Sequence, residues 1–194
     1  MIHLILFGPP GVGKGTQSQR IIQHFDLLHI ASGDLLRIQI MNQSDLGIKA
    51  KLYMDKGELV PDEIVISMIE SILSSLDGKN GVVFDGFPRT PPQAEALDGL
   101  LKSRGEEISA LVALKVPKEE LVKRLESRGL TSGRADDSSI KTIENRLKVY
   151  DNKTSPVIKH YSEQGKYHPV NGVGMIDDVS KRLIDIIEPI VEAI

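Results

Sequence analysis

The chain has 194 residues with an ordinary globular composition, 40% hydrophobic and 26% charged, which predicts one domain with a hydrophobic core. Its net charge of −3 argues against a broad basic surface for nucleic acid or acidic lipid. The absence of cysteine excludes disulfides, thiolate zinc sites and thiol catalysis, and it favours a reducing, cytoplasmic location. No apolar run approaches the roughly 20 residues that span a bilayer, so we expect a protein without a membrane partner.

Short apolar runs alternate with longer helical patterns along the chain. Residues 2–7, 81–84 and 110–116 predict buried strands, and shorter elements near 28–30 and 167–170 complete a five-stranded sheet. Repetition of strand then helix requires a parallel sheet covered on both faces, because right-handed crossovers place helices there. The predicted fold class is α/β, with three layers in the order α/β/α.

Two segments have apolar residues at three- and four-residue spacing, which predicts helices that turn one face to the core. The first segment carries Ile64, Met68, Ile69, Ile72, Leu73 and Leu76. The second carries Val179, Leu183, Ile186, Ile187, Ile190 and Val191.

Two stretches depart from the simple alternation. Residues 32–60 have a helical pattern that contains Gly47 and Gly57, and they form an oversized crossover. Residues 128–137 are expected to interrupt two consecutive helices. Because loops after the carboxyl ends of strands bind ligands in such sheets, we interpret both stretches as mobile covers of a single domain, the first cover at 31–60 and the second cover at 127–137. Ordinary surface loops are the alternative.

The sequence Gly-Pro-Pro-Gly-Val-Gly-Lys-Gly-Thr at residues 8–16 follows a predicted strand and begins a helix expected to run to about Phe25. Its glycines allow backbone N–H groups to point inward, the helix N-terminus adds positive potential, and Lys14 supplies a cation for terminal phosphates. A glycine-rich turn without a ligand is the alternative. The usual pattern has Ser or Thr directly after the lysine, whereas here Gly15 precedes Thr16, which points to a subset of phosphate-loop proteins.

Further motifs follow this loop in a fixed order: Ala-Ser-Gly-Asp-Leu-Leu-Arg at 31–37, Gly-Glu-Leu-Val-Pro at 57–61, Phe-Asp-Gly-Phe-Pro-Arg-Thr at 84–90, and Gln93. Together they closely resemble the adenylate kinase family over almost the whole chain. The resemblance implies a P-loop kinase fold and the reaction ATP + AMP ⇌ 2 ADP, which serves adenine nucleotide homeostasis and AMP salvage. It also implies a monomer whose partners are ATP, AMP and ADP, with Mg²⁺ carried by the nucleotide.

The resemblance further implies that the first cover is the nucleotide-monophosphate-binding region and that the second cover is a short lid. Long-lid members have an extra small sheet here, sometimes zinc-bound through cysteines, and ten residues without cysteine leave no room for it. The five histidines are scattered without metal-ligand spacing. We therefore expect no zinc and no dedicated metal site.

Phosphoryl transfer from ATP to AMP needs cations and no general base, because the attacking phosphate oxygen is already ionised at neutral pH. Arginine suits this role, since its planar fork binds phosphate oxygens in a bidentate manner and keeps its charge. Six of the nine arginines lie in segments that the resemblance brings to the site: Arg37, Arg89, Arg124, Arg128, Arg134 and Arg146. By family similarity the first two would hold the AMP phosphate, the next two the ATP phosphates, and the last two the transferred group. A solvated residue on a helix face is the alternative for any one of them.

The remaining assignments also follow from the resemblance. Lys14 would follow the transferring phosphoryl group, and Asp85, at the end of a predicted strand, would orient Mg²⁺ through its water ligands. The predicted ATP-binding set comprises Gly11, Val12, Gly13, Lys14, Gly15, Thr16, Arg128 and Gly174. The predicted AMP-binding set comprises Ser32, Arg37, Glu58, Leu59, Val60, Gly86, Phe87, Pro88, Arg89, Gln93, Arg134 and Arg146. For Gly174, in the loop 170–174, a plain turn is a competing interpretation.

Two residues help to predict which base the acceptor nucleotide carries. Ser32 stands where similar adenylate kinases carry threonine and the uridylate/cytidylate kinases carry alanine. Gln93 can both donate and accept, which suits adenine, whereas the pyrimidine kinases tend to have asparagine nearby. Both residues favour AMP, although a solvent-facing helix residue is the alternative for Gln93. A UMP/CMP kinase and an inactive nucleotide-binding module remain alternative functions, and the six arginines argue against the second.

Overall fold

The computed structural model describes residues 1–75, 80–132, 134–137 and 139–193, with only the backbone at Ala135. Its sheet has five parallel strands in the order β2-β3-β1-β4-β5. The strands are β1 (Ile2–Phe7), β2 (Leu28–Ala31), β3 (Gly81–Asp85), β4 (Ala110–Lys115) and β5 (Tyr167–Asn171). The predicted α/β class and the five-stranded parallel sheet are confirmed.

Helices connect the strands and cover both faces of the sheet. A 3₁₀ turn at Ala135–Asp137 precedes α7, and a π-helical turn at Tyr150–Thr154 links α7 to α8. The α-helices of the described residues are α1 (Lys14–Phe25), α2 (Ser32–Met41), α3 (Asp45–Met54), α4 (Asp62–Ser74), α5 (Pro91–Lys102), α6 (Lys118–Ser132), α7 (Ile140–Val149), α8 (Val157–Glu163) and α9 (Ile176–Glu192).

Strand β1 lies at the centre of the sheet and is buried along its whole length. Because side chains alternate across a strand, Ile5 and Phe7 enter the apolar cluster on one face while Leu4 and Leu6 enter the cluster on the other. Burial on both faces explains why β1 is continuously apolar. The carboxyl ends of β1 and β3 lie side by side, with Leu6 opposite Asp85, so the loops that follow these strands emerge at one edge.

The two predicted helical stripes face the core. In α9 the buried positions include Val179, Leu183 and Ile187. In α4 they are Val65, Ile69 and Leu73, while Leu76 of the predicted stripe lies outside the described residues. Each buried aliphatic side chain contributes about 1.5–3 kcal/mol, so these stripes hold both helices against the sheet.

The first cover is helical, as the sequence predicts, and its helices α2 and α3 form a hairpin. Ser44 caps α3, because its Oγ accepts a hydrogen bond from the N–H of Gly47 at 3.0 Å. A Cβ atom at Gly47 would lie 2.0 Å from the carbonyl oxygen of Gln39. Glycine within α3 therefore permits the close approach of the two helices.

Helix α6 extends further than the sequence predicts. We expected a break from residue 128, but the helix continues to Ser132. The reason lies in a tertiary contact at Gly129, where a Cβ atom would lie 2.4 Å from the carbonyl oxygen of Asp137. The 3₁₀ turn packs against α6 at Gly129, where no side chain blocks it. This glycine therefore makes room for a packing contact and does not end the helix. Gly133 of the second cover lies outside the described residues.

Candidate active site

The loop between β1 and α1 wraps tightly at the carboxyl edge of the sheet. Gly8 has a φ of 141° and Gly11 a φ of 83°, values that L-residues with side chains rarely adopt. A Cβ atom at Gly8 would lie 2.7 Å from the carbonyl oxygen of Leu114, and one at Gly11 would lie 2.8 Å from Cγ of Leu125. Both glycines are needed for the path of the loop, which delivers the N-terminus of α1 to the cavity.

Lys14, the first residue of α1, folds back over this loop. Its Nζ donates to the carbonyl oxygens of Gly8, at 2.7 Å, and Pro9, at 3.0 Å. Burial lowers the pKa of Lys14 to about 8, against the opposing effect of the nearby carboxylate of Asp85. The loop thus holds a partly desolvated ammonium group.

A cavity of about 670 Å³ opens at this edge of the sheet. Its wall contains Lys14, Asp85 and all six arginines that the sequence singles out. It also contains most of the other predicted nucleotide-binding residues, which are Gly11, Val12, Gly13, Gly15, Thr16, Glu58, Leu59, Gly86, Phe87, Pro88 and Gly174. Residues from distant parts of the chain therefore bring seven cationic side chains to one site.

Arg89 is the most deeply placed of these arginines. Its Nε donates to the carbonyl oxygen of Gly86 at 2.6 Å, which fixes the guanidinium against the turn after β3. Burial, and then the positive charge of Arg146, lower the pKa of Arg89 to about 10, while Asp85 acts in the opposite direction. The guanidinium remains charged at neutral pH.

Arg124 and Arg128 lie one turn apart on α6 and both line the cavity, as their spacing predicts. The Nη1 of Arg124 donates to the carbonyl oxygen of Val12 at 3.3 Å, and its Nη2 pairs with Glu120. These contacts connect α6 to the glycine-rich loop.

Carboxylates engage the other arginines. Asp34 of the first cover contacts an arginine on each cover, with Oδ1 at 2.5 Å from Nη2 of Arg37 and at 3.5 Å from Nη2 of Arg134. The buried carboxylate of Asp137 accepts from Nε of Arg128 at 2.6 Å and also pairs with Arg146.

Asp136 adds a second carboxylate to Arg146, with 3.0 Å between Oδ2 and Nη1. The sequence prediction gave no role to Asp34, Asp136 or Asp137, although each lies within three residues of a predicted arginine. That proximity was the available signal, because a dense group of cations needs counter-charges before a ligand binds.

Asp85 ends β3 and faces His29 on the neighbouring strand, with 3.5 Å between Oδ2 and Nε2. Burial acts to raise the pKa of Asp85, but the imidazole of His29 and the charge of Lys14 outweigh it and hold the pKa below its ordinary value. Asp85 is therefore ionised at neutral pH. Among the described residues, no cluster of three or more His, Cys, Asp or Glu side chains could bind a metal ion.

Three predicted residues, Ser32, Val60 and Gln93, are buried beside the cavity and do not line it. The hydroxyl of Ser32 donates to the carbonyl oxygen of Gly86 at 2.5 Å. Gln93 is 1% exposed, so the alternative of a solvent-facing helix residue is wrong.

The model of the Adenylate kinase family matches residues 6–166 of the chain. The chain belongs to the adenylate kinase family.

Curated relatives extend this match over nearly the full length. The adenylate kinase of Bacteroides fragilis is 49% identical over 179 residues, which is 92% of this chain and 94% of the relative. That of Phocaeicola vulgatus is 47% identical over 188 residues, 97% of this chain and 99% of the relative. That of Flavobacterium psychrophilum is 46% identical over 187 residues, 96% and 98% of the two chains.

As a member of the adenylate kinase family, the protein is a phosphotransferase that catalyses ATP + AMP ⇌ 2 ADP, which confirms the predicted enzyme class and reaction. Nothing in these comparisons favours a pyrimidine kinase or an inactive module. Family membership implies binding of ATP, AMP and ADP, and adenylate kinases use Mg²⁺ with their nucleotides. In the described part of the chain, no helix has the length and hydrophobicity needed to cross a membrane.

Proposed function

We propose that this adenylate kinase holds ATP and AMP end to end in the 670 Å³ cavity, between the two covers. The observation that carries the proposal is that Lys14, the glycine-rich loop and six arginines from separate segments line the same cavity. A substrate pair with several adjoining phosphates is a ligand that matches this concentration of positive charge.

On the donor side, the backbone N–H groups of residues 11–16 and the N-terminus of α1 would receive the ATP phosphates. Lys14 would exchange the carbonyl oxygens of Gly8 and Pro9 for phosphate oxygens. Arg124 and Arg128 would add charge from α6, and the base would lie against Gly174, which lines the cavity.

On the acceptor side, Arg37 and Arg89 would bind the AMP phosphate. Arg134 and Arg146 would contact the phosphoryl group during transfer. The adenosine of AMP would bind among the remaining predicted residues, which are Ser32, Glu58, Leu59, Val60, Gly86, Phe87, Pro88 and Gln93.

In this arrangement catalysis depends on alignment and on stabilisation of charge in the transition state. The two arginines between the nucleotides would hold the equatorial oxygens of the moving group. Closure of the first and second covers would exclude water and so prevent hydrolysis of ATP.

Asp85 fits a hydrated Mg²⁺ ion, since its ionised carboxylate lines the cavity and, in the described part of the chain, belongs to no group of three or more acidic, histidine or cysteine ligands. Its role would be to accept hydrogen bonds from the water ligands, because magnesium retains much of its hydration shell. The bound ion would neutralise part of the negative charge on the ATP phosphates. No zinc is expected in this arrangement.

A cytoplasmic location, a monomeric state and the absence of a nucleic-acid partner stay predictions. The first rests on the lack of cysteine, the second on the family, and the third on the net charge of −3.

A coupled assay tests the function and the acceptor. ADP formation from ATP is measured with and without AMP, and then with UMP or CMP in place of AMP. We expect AMP to give the highest rate, with little ATP hydrolysis in its absence. A higher kcat/KM for either pyrimidine nucleotide would overturn the assignment of the acceptor, and ADP formation independent of any acceptor would overturn the transfer reaction.

A further inference from the structure

Asp62, the first residue of α4, forms two hydrogen bonds to the start of α5. Its Oδ1 accepts from Nε2 of Gln93 at 2.8 Å, and its Oδ2 accepts from the hydroxyl of Thr90 at 2.9 Å. Thr90 in turn caps α5, since its Oγ1 accepts from the N–H of Gln93 at 3.3 Å. The carboxylate thus connects the end of the first cover to the side chain of Gln93.

The carboxamide of Gln93 is held from both sides. Its Oε1 accepts from the backbone N–H of Arg89 at 2.7 Å, opposite the contact of Nε2 with Asp62. A backbone N–H can only donate and a carboxylate can only accept, so the positions of oxygen and nitrogen in the amide are determined. With 1% exposure, the side chain has no solvent to satisfy a reversed amide.

We propose that Asp62 is a positioning residue that locks the carboxamide of Gln93 in the orientation that selects 6-aminopurine over 6-oxopurine monophosphates. The inference rests on the proposed function, in which the acceptor base, once bound, would contact Gln93, although this side chain is buried beside the cavity and does not line it.

Each half of the locked amide keeps one hydrogen-bonding position for the base, namely a lone pair on Oε1 and a hydrogen on Nε2. Adenine presents a donor at the 6-amino group beside an acceptor at N1, and hypoxanthine presents the reverse order. Matching hypoxanthine would require the amide to rotate by half a turn. Its oxygen would then face the carboxylate of Asp62, and its NH₂ group would face the N–H of Arg89, so the rotation replaces two hydrogen bonds by two repulsive contacts.

The position of Asp62 supports this role. Glu58 and Leu59, a few residues before it, line the cavity, and so does Arg89, whose backbone N–H holds the other side of the amide. The lock is therefore built from the same segments as the acceptor side of the site.

The test compares AMP with IMP, which differs only in the 6-substituent and the proton at N1. For Asp62→Ala we expect the AMP over IMP ratio of kcat/KM to fall by about tenfold, through KM for the acceptor, with little change in KM for ATP. Asp62→Asn can turn either its oxygen or its NH₂ group toward the carboxamide of Gln93, so only the backbone N–H of Arg89 still favours the original orientation. We therefore expect it to give a ratio between those of wild type and Asp62→Ala. Glu63→Ala removes an exposed carboxylate from the same helical turn and should leave the ratio unchanged.

A double variant separates positioning from a structural role. If Asp62 acts through Gln93, adding Asp62→Ala to Gln93→Ala changes the AMP over IMP ratio by less than about twofold. The same tenfold loss in the Gln93→Ala background, or an unchanged ratio in the Asp62→Ala single variant, would overturn the inference. Wild-type enzyme that fails to phosphorylate AMP would instead overturn the proposed function on which the inference rests.

Discussion

Asp34 of the first cover lies 3.5 Å from Arg134 of the second cover, measured between Oδ1 and Nη2. The contact joins two segments that flank the cavity. Asp34 is about half exposed, at 54%, so this ion pair contributes about 0–1 kcal/mol to their association.

Neutralising Asp34 should therefore separate the covers. Because the chain has no cysteine, cysteines introduced at the exposed residues Met41 and Leu130 can carry a dye pair for distance measurements. We expect Asp34→Asn to lengthen the mean distance in nucleotide-free enzyme, and added salt to do the same in wild type. Asp55→Asn, which breaks an ion pair within the first cover, is the control. Identical distances in Asp34→Asn and wild type at low salt would contradict the bridging role.

Lys14 should give the reaction a characteristic dependence on pH. Its pKa of about 8 means that the ammonium form, which would bind phosphate under the proposed function, predominates below pH 8 and is lost as the pH rises through that value. We expect kcat/KM for ATP to fall above about pH 8, while kcat at saturating ATP persists to higher pH because bound phosphate favours the ammonium form. Initial rates between pH 6 and pH 10 measure this.

Two substitutions check the assignment to Lys14. Lys14→Arg should move the alkaline limb to higher pH, at a reduced rate. Lys14→Ala should lower kcat by about 100-fold or more with the circular dichroism spectrum of the folded protein intact. Near-normal activity in Lys14→Ala would remove the glycine-rich loop from the mechanism.

Arg89 should not tolerate replacement by lysine. Its Nε is committed to the carbonyl oxygen of Gly86, which leaves the two Nη groups of the fork for phosphate. A lysine cannot make both interactions at once, so we expect Arg89→Lys to raise KM for AMP by about tenfold or more with a smaller effect on KM for ATP. The matched control is Arg20→Lys, an arginine on α1 that pairs with Asp177 at the surface. Equal increases in both KM values would place Arg89 outside the acceptor side.

Gly47 and Gly99 both lie within helices, but replacing each with alanine should change the stability of the protein in opposite directions. A Cβ atom at Gly47 would meet the backbone of α2 at 2.0 Å, whereas no atom lies within 4 Å of one at Gly99. We expect Gly47→Ala to lower the free energy of unfolding by about 1–3 kcal/mol. Gly99→Ala should raise it by about 0.5–1 kcal/mol, since alanine favours the helix. Denaturant titrations measure both values, and a Gly47→Ala variant as stable as wild type would show that α2 and α3 can separate freely.

The sheet and the glycine-rich loop could be predicted from the sequence because their signals are local. The apolar run of β1 and the glycines at 8, 11 and 13 encode their structure within a few residues. The extension of α6 past residue 128 could not be predicted, since Gly129 remains helical through its contact with Asp137.

The long-range partners of the site residues could not be predicted from sequence patterns either. The ion pair of Asp34 with Arg134 joins residues 100 positions apart in the chain, and Asp62 meets Gln93 across 31 positions. Such pairs exist only after the loops have been arranged around the carboxyl edge of the sheet. For Gln93, neither helical periodicity nor residue type indicated that its amide would be buried and held on both sides.

The acidic residues among the arginines provide counter-ions that belong to the chain itself. Asp34, Asp136 and Asp137 offset mutual repulsion that would otherwise oppose bringing the guanidinium groups together. Under the proposed function, nucleotide binding at these positions would be an exchange of one anion for another. A single inorganic phosphate would compete poorly in such an exchange, because it could not replace all the carboxylates at once, whereas a chain of linked phosphates could.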